Sequence, residues 1–204
     1  MSFKSRISQS GIASAIRAIG SGCRDVRCGG NFVRSVAGRK KKLGDMNAVS
    51  DYDVLKKILK NMTLEDSDVF VDIGCGNGRV INYLLTSKYK CRIIGVEKNS
   101  ELASVAAETF RKKDRVSVVC ADAEVALPPE GTVFYIYCPF EAAQLERVLI
   151  NIEHSAQDAI KLIYVDDVNS SVVLCRDGWQ PDCTGSIPLR YGEPMHYTIY
   201  TYMP

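Results

Sequence analysis

Between Val69 and Val80 the chain reads Val-Phe-Val-Asp-Ile-Gly-Cys-Gly-Asn-Gly-Arg-Val, placing three alternating glycines just behind an acid. Glycine at 74, 76 and 78 lets the backbone turn sharply and approach a ligand closely, and a helix starting there would offer it free N–H groups. Glu97 follows 25 residues after Asp72, and a carboxylate at that distance can accept hydrogen bonds from both hydroxyls of a ribose. Ala121-Asp122-Ala123 then sets an acceptor side chain beside a backbone N–H, a pairing that suits the edge of adenine. Taken singly, each acid reads equally well as a solvated surface residue. Taken in succession, they describe a site for an adenosine.

The spacing also excludes. A dinucleotide fingerprint would need glycine at 79, where Arg79 stands, and no Gly-Lys-Ser/Thr follows to make a P-loop. A nicotinamide-dependent oxidoreductase is disfavoured on the same ground. Further along, Phe134-Tyr135-Ile136-Tyr137-Cys138-Pro139-Phe140 brings aromatic residues and a thiol to the end of another apolar run. Packed aromatics at a strand end are the plain alternative to a functional loop there. No metal-ligand spacing is present, so no metal site is expected.

These residues need a scaffold, and the hydrophobic periodicity supplies one. Val54, Leu55, Ile58 and Leu59 recur at helical spacing. The apolar runs 69–73, 92–97, 116–120, 132–138 and 160–165 predict strands. Val80, Ile81, Leu84 and Leu85 predict one helix, Leu102, Val105, Ala106 and Phe110 a second, and Leu145, Val148, Leu149 and Ile152 a third. A short helical piece ends near Gly178, and Met195 to Tyr202 alternates as a final strand with two different faces. Strands alternating with helices predict a parallel sheet covered on both sides, whose ligands lie beyond the carboxyl ends of the strands. The glycine loop, Glu97 and Asp122 each follow such a strand.

The set Val-Asp-Ile-Gly-Cys-Gly-Asn-Gly-Arg-Val, Gly-Val-Glu-Lys-Asn and Ala-Asp-Ala resembles the class I S-adenosylmethionine-dependent methyltransferases over roughly residues 47–170. The resemblance implies an α/β fold: a three-layer, doubly wound, mostly parallel seven-stranded sheet with an antiparallel last strand, the Rossmann-like methyltransferase fold. It implies S-adenosyl-L-methionine as cofactor and an enzyme that transfers its methyl group to an N or O atom of a protein, nucleic acid or small molecule. Gly74, Cys75, Gly76 and Gly78 would shape the pocket, with Asp72 near the methionine amino group, Glu97 on the ribose, and Asp122 with Ala123 at the adenine. Cys138-Pro139-Phe140 resembles the acceptor loop of amino-group methyltransferases, and more closely the Asn-Pro-Phe form of a small group of mostly bacterial members. Cys138 stands where those have Asn, and a thiol cannot both donate and accept as an amide does. An inactive methyltransferase-like binding or scaffold protein is therefore the alternative.

Charge divides the chain. Residues 1–42 hold ten Lys or Arg against Asp25 alone, so a basic arm with net charge +9 precedes a body of −7. The expected division is a flexible arm over 1–44 and a methyltransferase domain over 45–204. The arm admits three readings: a loosely attached leader, an organellar (mitochondrial) transit peptide, or a segment that steers an anionic partner such as nucleic acid. No apolar run is long enough for a membrane span. The eight cysteines lack Cys-x-x-Cys pairs, and Cys91 and Cys120 sit in apolar runs, so reduced thiols in a cytoplasm-like compartment are expected. His154 reads as solvated, and His196 lies in the final strand.

Overall fold

The computed structural model describes residues 50, 52–137, 140–188 and 194–204. The 44/45 boundary and the basic arm lie outside the described residues. Helix α1 (Tyr52–Leu59) leads into β1 (Val69–Ile73), α2 (Arg79–Thr86), β2 (Arg92–Glu97), α3 (Ser100–Phe110) and β3 (Val116–Cys120). The second half runs β4 (Val133–Tyr137), α4 (Ala142–Ser155), β5 (Ile160–Val165), α5 (Ser170–Leu174), β6 (Trp179–Ile187) and β7 (Met195–Tyr202). The seven strands form one sheet in the order β3-β2-β1-β4-β5-β7-β6, with β7 antiparallel to both its neighbours. Strand order reverses between β1 and β4, the position at which open α/β sheets bind ligands beyond the strands' carboxyl ends.

Strand periodicity divides the apolar residues between two cores. Phe70, Ile93, Val133, Tyr135 and Ile163 point to the side covered by α1, α2 and the Phe110 end of α3. Val71, Ile73, Ile94, Val96, Phe134, Ile136, Leu162 and Tyr164 point to the other, against α4 and Val173 of α5. Because successive side chains alternate, Asp72 falls on the α1–α2 side, in register with Gly95 of β2 and Tyr135 of β4. At the opposite end of the sheet, Glu153 of α4 holds Arg176 and the Trp179 indole N–H (2.7 Å), which fastens β6 to the helix layer.

Three expectations are corrected. The resemblance implies seven strands, and seven are present, but the hydrophobic periodicity locates only six and misses β6, because Pro181, Asp182 and Gly185 interrupt any apolar pattern. It forms because it is an edge strand, where proline is tolerated, and its register shifts between Pro181 and Cys183. Val105 is 54% exposed; the buried stripe of α3 is Ala103, Ala106 and Phe110. Cys120 is exposed because β3 is the other edge of the sheet, whereas Cys91 is buried as expected. Among the described residues no helix is long and apolar enough to cross a membrane.

Candidate active site

The loop after β1 is built around three glycines with positive φ: Gly74 (77°), Gly76 (53°) and Gly78 (88°). An L side chain is strained in that region, which is why glycine recurs at alternate positions. Gly78 is also short of space, since a Cβ there would lie 2.3 Å from the ring of the buried Phe110. Gly78→Ala is accordingly expected to lower stability by at least about 2 kcal/mol, from left-handed strain and overpacking together. An unchanged thermal midpoint would show that Phe110 yields without cost.

The loop amides are not free, contrary to the sequence expectation. Those of Gly74 and Cys75 both donate to the Val96 carbonyl (2.8 and 3.0 Å), and that of Gly78 to the Cys75 carbonyl (2.8 Å). The Gly76 amide donates to Oε2 of Glu97 at 2.8 Å. With these four donors satisfied internally, the loop is poorly suited to cradle a phosphate, and its bends serve close approach instead. Gly95 on β2 completes the packing: a Cβ there would lie 2.8 Å from Cys75 Sγ and 2.9 Å from Ile81 Cδ1. Sequence reasoning passed over Gly95, although a glycine inside an apolar strand signals a close approach.

Glu97 ends β2, and its Oε1 accepts from the Asn99 amide at 2.8 Å. Each carboxylate oxygen therefore holds one backbone N–H and keeps acceptor capacity for a hydroxyl. Asn99 in turn caps α3, its Oδ1 accepting from the amides of Glu101 and Leu102 (3.0 and 3.1 Å). Asp122 lies just past β3, with Oδ1 accepting from the Glu124 amide (3.0 Å) and Oδ2 paired with Lys98 at 2.5 Å. The hydrogen bond from Lys98, then that from the Glu124 amide, holds its carboxyl below the usual carboxylate range. Lys98 is 69% exposed, so the pair is weak enough for another donor to compete. Ala123 is buried, and its carbonyl accepts from Asn151 of α4 at 2.8 Å. Glu97 and the glycine loop thus meet beyond β1 and β2, and Asp122 follows the neighbouring strand β3.

Asp72 is 2% exposed, and its Oδ2 has no hydrogen-bond partner. Burial, followed by repulsion from Glu97, pushes its pKa up to about 8. The same environment raises the buried Cys75 thiol, so Cys75 is a packing residue of the loop and no ready nucleophile. Tyr135, the neighbour of Asp72 across the sheet, shares a hydrogen bond with the buried Ser50 at 2.9 Å. Tyr52 opens α1 and accepts from Asn82 Nδ2 at 2.6 Å, with the Arg79 guanidinium 5.4 Å from its ring centre. Ser50 and α1 therefore pack onto the Asp72 side of the sheet. Nothing in the sequence pattern of Ser50 or Tyr52 indicated this.

On the acceptor side, Cys138 and Pro139 lie outside the described residues. Phe140 is half-buried against the core on the α4 side, and its carbonyl accepts from Asn169 Nδ2 at 2.7 Å. Asp166 has φ 57°, and its amide donates to the His196 carbonyl (2.8 Å). Asp167 accepts from the Thr198 hydroxyl at 2.5 Å, so its carboxylate is turned to β7. His154 and His196 are both exposed. Among the described residues no cluster of three potential metal ligands occurs.

Residues 70–162 match the family described as a methyltransferase domain. The chain is 32% identical over 129 residues to the ribosomal RNA small subunit methyltransferase A of Acidothermus cellulolyticus, a match covering 60% of this chain and 43% of that protein. Among solved structures it is similar to TrmN from Thermus thermophilus (TM-score 0.64, 9% identity, 78% of this chain and 51% of that one). An RNA methyltransferase from Salinibacter ruber, solved with S-adenosyl-L-homocysteine, is also similar (TM-score 0.56, 21% identity, 76% and 93% covered). At such identities the structural likenesses bear on the fold alone. The chain spans less than half the length of the curated relatives it matches.

Proposed function

Since this chain belongs to the class I S-adenosylmethionine-dependent methyltransferase family, we propose that it binds S-adenosyl-L-methionine across the carboxyl ends of β1, β2 and β3 and transfers its methyl group to an N or O acceptor. The observation that carries the reading is the meeting of Glu97 with the glycine loop. One carboxylate holds Gly76 and Asn99 by their amides and keeps its remaining lone pairs for ribose hydroxyls. In this reading Asp72 serves the methionine amino group, Asp122 and Ala123 the adenine, and Cys138, Pro139 and Phe140 border the acceptor. Two similar proteins are named as RNA methyltransferases, so RNA is the first acceptor class to try.

Transfer from a sulfonium is an in-line displacement. The acceptor lone pair forms the new bond to the methyl carbon as the C–S bond breaks, its electrons return to sulfur, and the acceptor loses a proton to solvent or a nearby base. Charge is dispersed in the transition state, so the protein contributes chiefly alignment and removal of water, worth up to about 7–11 kcal/mol. Such a reaction requires no nucleophile from the protein.

Calorimetric titration with S-adenosylmethionine and with NAD tests the donor. Micromolar binding of the first without the second is expected; binding of neither would favour a scaffold role. Tritium from labelled donor, followed into the RNA, protein and small-molecule fractions of a lysate, would then identify the acceptor class. Label in RNA is expected, and label confined to the other fractions would refute the RNA assignment.

A further inference from the structure

Lys98 follows Glu97 directly and is the first residue beyond β2. Its ammonium ends 2.5 Å from Oδ2 of Asp122, which follows the neighbouring strand β3. Glu97 and Cys120 are paired across those two strands, so the Lys98 side chain crosses from one strand end to the next. It leaves the backbone beside the residue read as the ribose partner and finishes on the residue read as the adenine partner. Oδ1 of Asp122 is held by the Glu124 amide at 3.0 Å, so Lys98 takes the oxygen that this turn leaves open. Arg147, the other cation that acts on Asp122, is engaged by Glu124 at 2.9 Å. Beyond β3 the chain therefore presents a carboxylate and an ammonium side by side.

We propose that Lys98 is a specificity-determining residue, which relaxes the purine subsite so that it takes a 6-oxopurine as well as adenine. The proposal rests on the donor reading given above. A carboxylate can only accept, so Asp122 alone selects the amino group of adenine and rejects an oxygen at the same position. A site built to bond one such group discriminates steeply against an analogue that lacks it. An ammonium can only donate. Lys98 contests Oδ2 with the adenine amino group, whereas it can donate to the O6 of hypoxanthine while Asp122 accepts from the N1–H beside it. The two residues together match the hypoxanthine edge, and Lys98 stands against the adenine edge. Because Lys98 is 69% exposed, its effect on either base is severalfold and no larger.

The test titrates the full chain and its variants with S-adenosylhomocysteine and with its 6-oxo counterpart, S-inosylhomocysteine. The wild-type chain is expected to bind the two within about tenfold of each other. Lys98→Met keeps the length of the stem and removes the charge. It should tighten S-adenosylhomocysteine and weaken S-inosylhomocysteine, each by about threefold to fivefold, so the ratio moves by roughly tenfold or more. Lys98→Arg, which retains a donor and a charge, should keep the wild-type ratio. A partly unfolded variant would weaken both ligands alike and leave the ratio in place. A wild-type preference for adenine above about tenfold, or a ratio in Lys98→Met within about threefold of wild type, overturns the role of Lys98. Failure of the wild-type chain to bind either ligand overturns the donor reading itself, so the two failures are distinguishable.

Discussion

Replacing Glu97 by Ala is expected to weaken S-adenosylmethionine binding by at least tenfold. Two effects act in the same direction. The first is loss of the hydrogen bonds proposed from the ribose hydroxyls, and bonds to a charged group are worth about 1.5–3 kcal/mol. The second is internal: the Gly76 and Asn99 amides lose their shared acceptor, so the glycine loop and the start of α3 are no longer tied together. Glu97→Gln separates the two. A glutamine has one acceptor oxygen, so it can hold only one of the two amides without turning its NH2 toward the other. Its affinity should fall between wild type and Ala, with a lower thermal midpoint than wild type even in the absence of ligand. Donor affinity unchanged in Glu97→Ala would remove the ribose assignment.

The second large effect is a proton. Asp72 in the folded, ligand-free chain keeps its proton up to about pH 8, against 3.8 for the ordinary residue, chiefly because it is buried. Between those values the folded state binds more protons than the unfolded one. The stability this group contributes is therefore fully present below about pH 3.8 and is lost as pH rises through about 8. Asp72→Asn cannot ionise, so its stability should fall less steeply over that window, by a margin on the order of a few kcal/mol at the alkaline end. Donor binding should run the other way. A cationic amino group beside Asp72 favours the carboxylate, so binding at pH 7 is expected to release up to about one proton. Calorimetry in buffers of different ionisation enthalpy measures that release. Asp72→Asn should abolish it and weaken the donor about tenfold or more. No proton release from the wild-type chain would place the amino group away from Asp72.

The parts of the site that were legible in the sequence are those governed by local rules. Asp72, the glycines, Glu97 and Asp122 each sit within a few residues of a strand end, and strand ends can be read from apolar runs. What the loop amides bond to could not be read, because their acceptors, the Val96 carbonyl and Glu97, arrive from the next strand. The links Ser50–Tyr135 and Asn169–Phe140 were hidden for the same reason; each joins segments that only the finished sheet brings together. Val105 shows the weakness of helical spacing in a small-residue helix. The buried stripe keeps Ala106 and Phe110 and takes in Ala103 where the spacing had named Val105. Strand β6 lacked an apolar signature because as an edge strand it has one strand neighbour, and proline and polar residues are tolerated there.

The place of β7 between β5 and β6 has a consequence for how the chain comes to be folded at all. During synthesis β5 and β6 are complete before Met195–Tyr202 exists, and they have no ladder with each other. Strand β5 would wait with one edge unmatched and β6 with both, and Trp179 would lack its aromatic neighbours Tyr200 and Tyr202. Closure requires a strand to enter between two others, a non-local step of the kind that slows folding and exposes sticky edges meanwhile. A proteolytic cut in the 188–194 connection that let Met195–Tyr202 come away would do more than trim a rim. It would detach β6 from the sheet and bare the β5 edge, whose following turn carries Asn169.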